Sequence, residues 1–204
     1  MNKDIEVEMR GPLTEEKYLE TEKFLGEFGV FKENKERLLI AYTEILGKEN
    51  MKEITTDFRL RCTNGIPEII LKLGEWGGSD QRQELSVLAK PGEFDKLVQI
   101  FGHLGHKKGI MCVRRSKVFD YKGIEFALVE VRGHSYYFEA EIMAHSDGKE
   151  EAMKKISDVC RELGLAIFSQ EEFYQYIEKL NNESNEIFDF DNYKNDYFQE
   201  RFQL

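Results

Sequence analysis

The chain has 204 residues, 41% of them hydrophobic and 33% charged, with a formal net charge of −10. That length suits one large domain or a domain with an appendage, and the apolar fraction is enough to build a core. The acidic balance argues against a general nucleic-acid binder, because counterion release needs a basic surface, but it leaves room for a small internal basic pocket. Cys62, Cys112 and Cys160 are far apart and outside any Cys-x-x-Cys spacing, so they read as reduced thiols with neither a disulfide framework nor a zinc site. The N-terminus lacks an apolar leader and no apolar run approaches the roughly 18 residues of a membrane span. A cytoplasmic protein is the simplest reading.

In chain order, Ile5-Glu-Val-Glu-Met-Arg10 alternates apolar and charged residues, the period of a strand whose two faces differ. The next segment, 11–29, predicts a helix capped by Thr14 and stopped at Gly29, with Tyr18, Leu19, Phe24, Leu25 and Phe28 on its buried side. Residues 36–45 read as a strand. Residues 55–76 read as a hairpin turning at Asn64-Gly65, with Pro67 implying an edge or a bulge soon after. Trp76-Gly77-Gly78 ends that hairpin, 81–89 is another strand, and 93–105 a short amphipathic helix. A second hairpin, 110–133, turns at Asp120-Tyr-Lys-Gly123, and 135–144 is one more strand. Residues 146–164 form a helix with Asp147 and Glu150 in capping-box register and Gly164 at its end; Ser169 and Glu172 repeat that signature before 171–180. Beyond Asn181 the segment is acidic and aromatic; it either docks on the body or stays loose. About eight strands joined mostly by hairpins make an α+β protein with a large antiparallel sheet, possible to close into a barrel. The organisation expected is a domain over 1–180 and a tail over 181–204.

The alternation recurs with ionisable residues sorted by sign. The first and last strands carry Glu6 and Glu8, and Glu139 and Glu141; strands between them carry Arg59 and Arg61, Lys72, Arg82 and Glu84, and Arg115 and Lys117. One solvated face per strand explains any single case, but it does not require the sorting. A barrel with its apolar residues outward, under helices, would place both charge sets inside. Burying so many charges is costly unless they are paired or hold a ligand. Carboxylates suit hard divalent cations and arginines suit anions, so a metal-bridged phosphorylated anion is the ligand that uses both.

These segments resemble the CYTH domain, the superfamily of class IV adenylyl cyclases and thiamine triphosphatases, also called triphosphate tunnel metalloenzymes. Glu6-x-Glu8-x-Arg10 is similar to its N-terminal Glu-x-Glu-x-Lys signature, residues 58–72 to its Arg-x-Arg, hairpin, Lys segment, 82–86 to its Arg-x-Glu-x-Glu strand, 113–119 to its Lys-x-Arg strand, and 136–142 to its closing Phe-x-Glu-x-Glu strand. The similarity spans roughly 1–180. It implies an eight-stranded antiparallel β-barrel, the triphosphate tunnel, with flanking helices. It implies Glu6, Glu8, Glu139 and Glu141, with Glu84 as a further acid, as ligands of Mg2+ or Mn2+. Arg10, Arg59, Arg61, Lys72, Arg115 and Lys117 would contact phosphate, and Glu6, Glu8, Arg10, Glu139 and Glu141 would serve catalysis. Arg10 stands in place of the signature lysine, Ser86 in place of a second glutamate, and Arg115 and Lys117 in reversed order. The aspartate of the pattern falls near Val129, with Glu130 the acid able to replace it after a one-residue shift.

The resemblance implies metal-dependent hydrolysis of a triphosphate, whether inorganic tripolyphosphate, thiamine triphosphate or a nucleoside triphosphate. The alternatives are cyclisation of ATP to cyclic AMP and pyrophosphate, a non-catalytic polyphosphate or nucleotide binder, and an adaptor recruiting a partner through its acidic tail. The partner expected is a small triphosphate-containing molecule, with no nucleic acid and no membrane, and a monomer or homodimer. His103 and His106 are spaced for a helix but lack further ligands, so they read as a solvated helix end. Gly77-Gly78 lacks any phosphate-loop context and reads as a turn. Tyr136, Tyr137 and Trp76 are the aromatic residues near the charged strands that could stack on a base.

Overall fold

A computed structural model describes residues 4–43, 55–77, 79–145 and 147–203. Eight strands form a closed ring: β1 (Asp4–Leu13), β2 (Val30–Ala41), β3 (Thr56–Thr63), β4 (Ile66–Leu73), β5 (Ser79–Leu88), β6 (Lys108–Tyr121), β7 (Ile124–Val131) and β8 (Ser135–His145). Their order is β2-β3-β4-β5-β1-β8-β7-β6, and β2 pairs with β6 to close the ring. Every neighbouring pair is antiparallel, so no open edge is left around the ring.

The helices cover the outside. α1 (Glu15–Phe28) and α3 (Lys149–Glu162) lie on the face made by β1, β6, β7 and β8. There Val7, Leu25, Phe126, Leu128, Phe138 and Ile156 are fully buried. Each such side chain contributes about 1.5–3 kcal/mol on leaving water, enough to fix which face of these strands points out. α2 (Phe94–His103) covers a second apolar face of β2 and β3, with Leu38, Ile40, Leu60 and Cys62 beneath. α4 (Gln170–Glu183) stands over one end of the ring, where Phe173 and Tyr174 pack on Trp76 and the Tyr174 hydroxyl donates to Trp76 O at 2.8 Å.

Local chemistry explains most element ends. Thr14 Oγ1 accepts from Lys17 N, and the chain leaves α1 at Gly29. Ser169 and Glu172 form a full capping box on α4. Asn64 (φ 50°) and Gly65 (φ 81°) make the positive-φ turn of the first hairpin, and Lys122 and Gly123 that of the second. Gly11 is needed for close approach, since a Cβ there would lie 1.8 Å from Ala166 O.

Several elements differ from the sequence reading. β2 begins at Val30, because the Phe31–Phe119 contact and the long β6 ladder extend it; residues 44 and 45, expected in this strand, lie outside the described residues. Leu19 and Phe28 of α1 are exposed, since the ring covers only the Tyr18–Thr21–Leu25 stripe. α3 starts after Gly148 with no side-chain cap, so the Asp147–Glu150 box does not form. Pro67 produces neither an edge nor a bulge: it pairs with Cys62 two residues beyond the turn, and its carbonyl accepts from Ala89 N at 2.8 Å. The acidic segment docks. β9 (Glu186–Asp189) pairs with the start of β6, a 3-10 turn follows at Phe190–Asn192, and α5 (Tyr197–Phe202) buries Phe198 against Phe94. Asp95 holds this docking, accepting from Phe198 N at 3.2 Å, Gln199 N at 2.9 Å and the Tyr193 hydroxyl. His103 and His106 are exposed, as expected of a solvated helix end, with His106 beside the rings of Tyr42, Phe58 and Phe101 and His103 beside Phe190.

Candidate functional site: a charged lumen

Because side chains alternate along each strand, the helix-covered faces dictate what points inward. The inward set includes the buried charges Glu6, Glu8, Arg10, Asp57, Lys72 and Arg82. One interior cavity of about 510 Å³, counting space open to solvent at its mouth, is bounded by Glu6, Glu8, Arg10, Lys35, Arg37, Arg59, Arg61, Lys72, Glu125, Glu139 and Glu141, with Ala127. A second cavity of about 720 Å³, measured the same way, adjoins it. It shares Arg10, Arg37, Arg59 and Glu139 but adds Trp76, Tyr137, Phe168, Phe173, Tyr176 and Ile177. The tunnel is therefore charged in one half and aromatic in the half under α4.

The buried charges are tied into pairs. Lys72 Nζ donates to Glu6 at 2.7 and 2.8 Å and meets Glu84 at 3.1 Å. Arg61 donates to Glu68 Oε2 from Nε (3.0 Å) and Nη2 (2.6 Å). Arg59 and Arg82 converge on Asp57, at 2.8 Å from Arg59 Nε and 3.0 Å from Arg82 Nη1. Arg10 pairs with Glu8, reaches Glu139 at 3.5 Å and donates to Gly77 O at 3.0 Å. Lys35 holds Glu125 at 3.2 Å. Glu8 is 3% exposed and Arg82 1%, so these charges depend on one another rather than on water.

The titration shifts report an uneven field. Burial raises the Asp57 carboxyl, but Arg59 and Arg82 outweigh it and hold the group down at about 2. Glu84 is likewise lowered, with Lys72 and Arg61 overcoming its burial. Glu141 goes the other way. Burial, then the charges of Glu6 and Glu8, push it up to about 8. Glu8 and Glu141 are direct register partners on β1 and β8, so the carboxylates crowd where compensating charge is short.

Among the described residues no group of three or more His, Cys, Asp or Glu side chains is arranged to hold a metal ion as it stands. The donor chemistry nevertheless fits one. Hard oxygen donors from β1 and β8 sit together, and the raised Glu141 carboxyl marks a place that gains from added positive charge. Lys72 and Arg10 now occupy Glu6 and Glu8, and would have to release them.

Of the sequence-derived candidates, Glu6, Glu8, Arg10, Arg59, Arg61, Lys72, Glu139 and Glu141 all line one cavity. Glu84 faces the lumen too, with Lys72 and Arg61 as its partners. Arg115 and Lys117 do not face it. They lie on the outer side of β6, Arg115 against Glu36 at 3.2 Å and Lys117 against Glu22 of α1. The reason is parity: Phe119 and Tyr121 of the same face are buried under α1, so Arg114 and Ser116 point inward instead. Glu130 also faces outward, paired in register with Arg115 and Tyr136, so it does not replace the absent aspartate; the lumen acid of β7 is Glu125. Tyr137 and Trp76 line the aromatic half, whereas Tyr136 packs on Tyr18 outside the ring, 4.7 Å between centroids. Sequence reading missed Lys35, Arg37, Asp57, Arg114 and Glu125. Asp57 was visible as the residue two before Arg59; Arg37 and Lys35 were not, because apolar residues flank both faces of β2.

The closed antiparallel ring encloses open, partly charged cavities, so it is a tunnel rather than a packed barrel. Neither a family model nor a curated protein sequence matches the chain. Solved structures do. The PH1819 protein from Pyrococcus horikoshii superposes with a TM-score of 0.64 at 22% identity, over 85% of this chain and 99% of that one. A protein from Vibrio parahaemolyticus described as a "putative adenylate cyclase" gives 0.58 at 15% identity, over 88% and 99%. HpAC1 from Hippeastrum, for which a dominant triphosphatase activity is described, gives 0.53 at 14% identity, over 85% and 95%. The fold is that of the CYTH, or triphosphate tunnel, proteins.

Proposed function

We propose that the lumen binds a triphosphate together with Mg2+ or Mn2+ and hydrolyses it. The observation that carries this reading is the convergence of Arg10, Arg59, Arg61 and Lys72 with Glu6, Glu8, Glu139 and Glu141 on one cavity. Phosphoryl transfer needs positioning and charge stabilisation more than covalent help, and such a lumen supplies both. Arg59, Arg61 and Lys72 would exchange their internal carboxylates for phosphate oxygens, the arginines bidentately. Glu6, Glu8, Glu139 and Glu141 would hold the divalent cation, which supplies charge neutralisation and an activated water. Burial of these groups strengthens each contact and keeps stray water out.

Replacing Glu8 by Gln keeps the shape and removes one donor. Metal-dependent phosphate release from tripolyphosphate, thiamine triphosphate or ATP should fall at least a hundredfold with the melting transition retained; unchanged release would sink the reading. The aromatic half of the tunnel favours a second reading, cyclisation of ATP, since Trp76 and Tyr137 offer walls for a base. Separating the products of ATP decides between them. Phosphate without cyclic AMP supports hydrolysis; cyclic AMP with pyrophosphate supports the cyclase.

A further inference from the structure

Four side chains outside the charged cavity make one continuous hydrogen-bonded chain from the aromatic cavity to the surface. Tyr176 lines that cavity, and its hydroxyl lies 2.9 Å from Ser135 Oγ. Ser135 Oγ lies 2.7 Å from His134 Nδ1, and His134 Nε2 lies 3.0 Å from Glu183 Oε2. Local structure places all four. Gly133 (φ 72°) turns β7 into β8, and Ser135 opens β8 with the parity of Tyr137 and Glu139, which face the lumen. Tyr176 and Glu183 are two turns apart on α4, hence on one face, so both reach this turn.

The outer end sets the direction of the chain. The Glu183 carboxylate, 51% exposed, only accepts, so a neutral His134 carries its proton on Nε2 and keeps a lone pair on Nδ1. Ser135 gives its one proton to Nδ1 and therefore accepts from Tyr176. The Tyr176 proton points away from the cavity, which meets only the lone pairs of that oxygen. Burial raises the Tyr176 pKa, opposed by the Ser135 hydrogen bond and by Arg114, so the phenol keeps its proton and only its direction varies. A protonated His134 reverses every link: both ring nitrogens donate, Ser135 turns its proton to Tyr176, and Tyr176 donates into the cavity. Glu183 of α4 is the charge on His134, while Arg114 of β6 and Tyr137 of β8 are the ionisable neighbours of Tyr176.

We propose that Glu183, His134 and Ser135 set the polarity of the Tyr176 hydroxyl, so that the aromatic cavity takes an amino-bearing ring, as in ATP, over the 6-oxo ring of ITP, and loses that preference when His134 is protonated. This rests on the reading of the lumen as a triphosphate site and names the chemistry of the ligand's organic end. An exocyclic ring amine donates and a ring carbonyl accepts, so one hydroxyl of set polarity tells them apart. Trp76, Phe168 and Phe173 supply apolar faces on which a flat ring packs. Tyr176 is the residue that touches the ligand; Ser135, His134 and Glu183 are positioning residues.

The test is calorimetric titration of wild type, Tyr176→Phe and His134→Gln with ATP and ITP, in EDTA and again in Ca2+, at about pH 8 and about pH 5, the limits between which imidazoles change charge. The two nucleotides carry the same triphosphate, so phosphate binding and its protonation cancel in their affinity ratio. Wild type should favour ATP about three- to tenfold at the higher pH, the worth of one hydrogen bond, and not at the lower. Tyr176→Phe keeps the ring packing on Phe168 and Tyr137 and should bring the ratio within twofold at both pH values. His134→Gln should give one ratio at both, which a merely structural histidine would not do. Nitrogen NMR of the ligand-free protein at the higher pH should show the His134 proton on Nε2. The Nδ1–H tautomer, a wild-type ratio within twofold at the higher pH, or a preference for ATP that survives Tyr176→Phe would each overturn the proposal. Binding without discrimination defeats the relay alone; failure of wild type to bind either nucleotide in either buffer defeats the triphosphate reading and this inference with it.

Discussion

Asp57 offers the sharpest test of how the lumen is held together. Its carboxylate is 2% exposed and shared by Arg59 and Arg82, and its pKa falls from an ordinary 3.8 to about 2. At about 1.4 kcal/mol for each tenfold change in proton affinity, the ionised form is favoured by roughly 2 kcal/mol in the folded state. Asp57→Asn removes that term and also leaves the Arg82 guanidinium, 1% exposed, without this carboxylate. Breaking a buried pair in this way typically costs about 3–5 kcal/mol. A loss of about 2–4 kcal/mol is expected, or roughly 5–12 °C in melting temperature for a chain of this size. The pH dependence has a definite sign. The folded pKa lies below the unfolded one, so the contribution is fully present above about pH 4 and is lost as pH falls toward 2. Urea unfolding of wild type and Asp57→Asn from pH 7 down to pH 2 measures both effects, and the variant should lack this part of the acid slope. A variant within about 0.5 kcal/mol of wild type at pH 7, with the same acid slope, would refute the account of Asp57 as the anchor of Arg59 and Arg82.

Other substitutions separate inner from outer residues. Arg115→Gln and Lys117→Gln should leave phosphate release within twofold of wild type, checked by steady-state assay, because both side chains face away from the lumen. Asp95→Ala should release the C-terminal segment, since it removes the acceptor of Phe198 N, Gln199 N and the Tyr193 hydroxyl; limited proteolysis should then cut between 184 and 203 well before the ring is degraded.

What was legible in the chain follows from local rules. Thr14, Gly29, Asn64-Gly65, Ser169 and Glu172 mark element ends because caps and positive-φ turns need those residue types whatever the surroundings. The alternation of Glu6-x-Glu8-x-Arg10 and Glu139-x-Glu141 set the parity of β1 and β8, since Val7, Met9, Phe138 and Ala140 between them are apolar and belong in a core. That placed five of the residues that share one cavity, and the same alternation on β3 and β4 placed Arg59, Arg61 and Lys72. On β6 the same rule could not choose. Cys112, Val113, Val118 and Phe119 put apolar residues on both faces, so Arg114 and Arg115 were equal candidates until α1 covered Phe119 and Tyr121. β2 carries the same ambiguity, and with it Lys35 and Arg37. The partners were beyond reach as well: that Lys72 lies on Glu6, or that Arg37 stands opposite Arg114, depends on ring closure between strands far apart in sequence. Period and capping are properties of a few neighbouring residues, and the sequence by itself determined those. Which charge meets which is a property of the closed ring, and only the tertiary structure decided it.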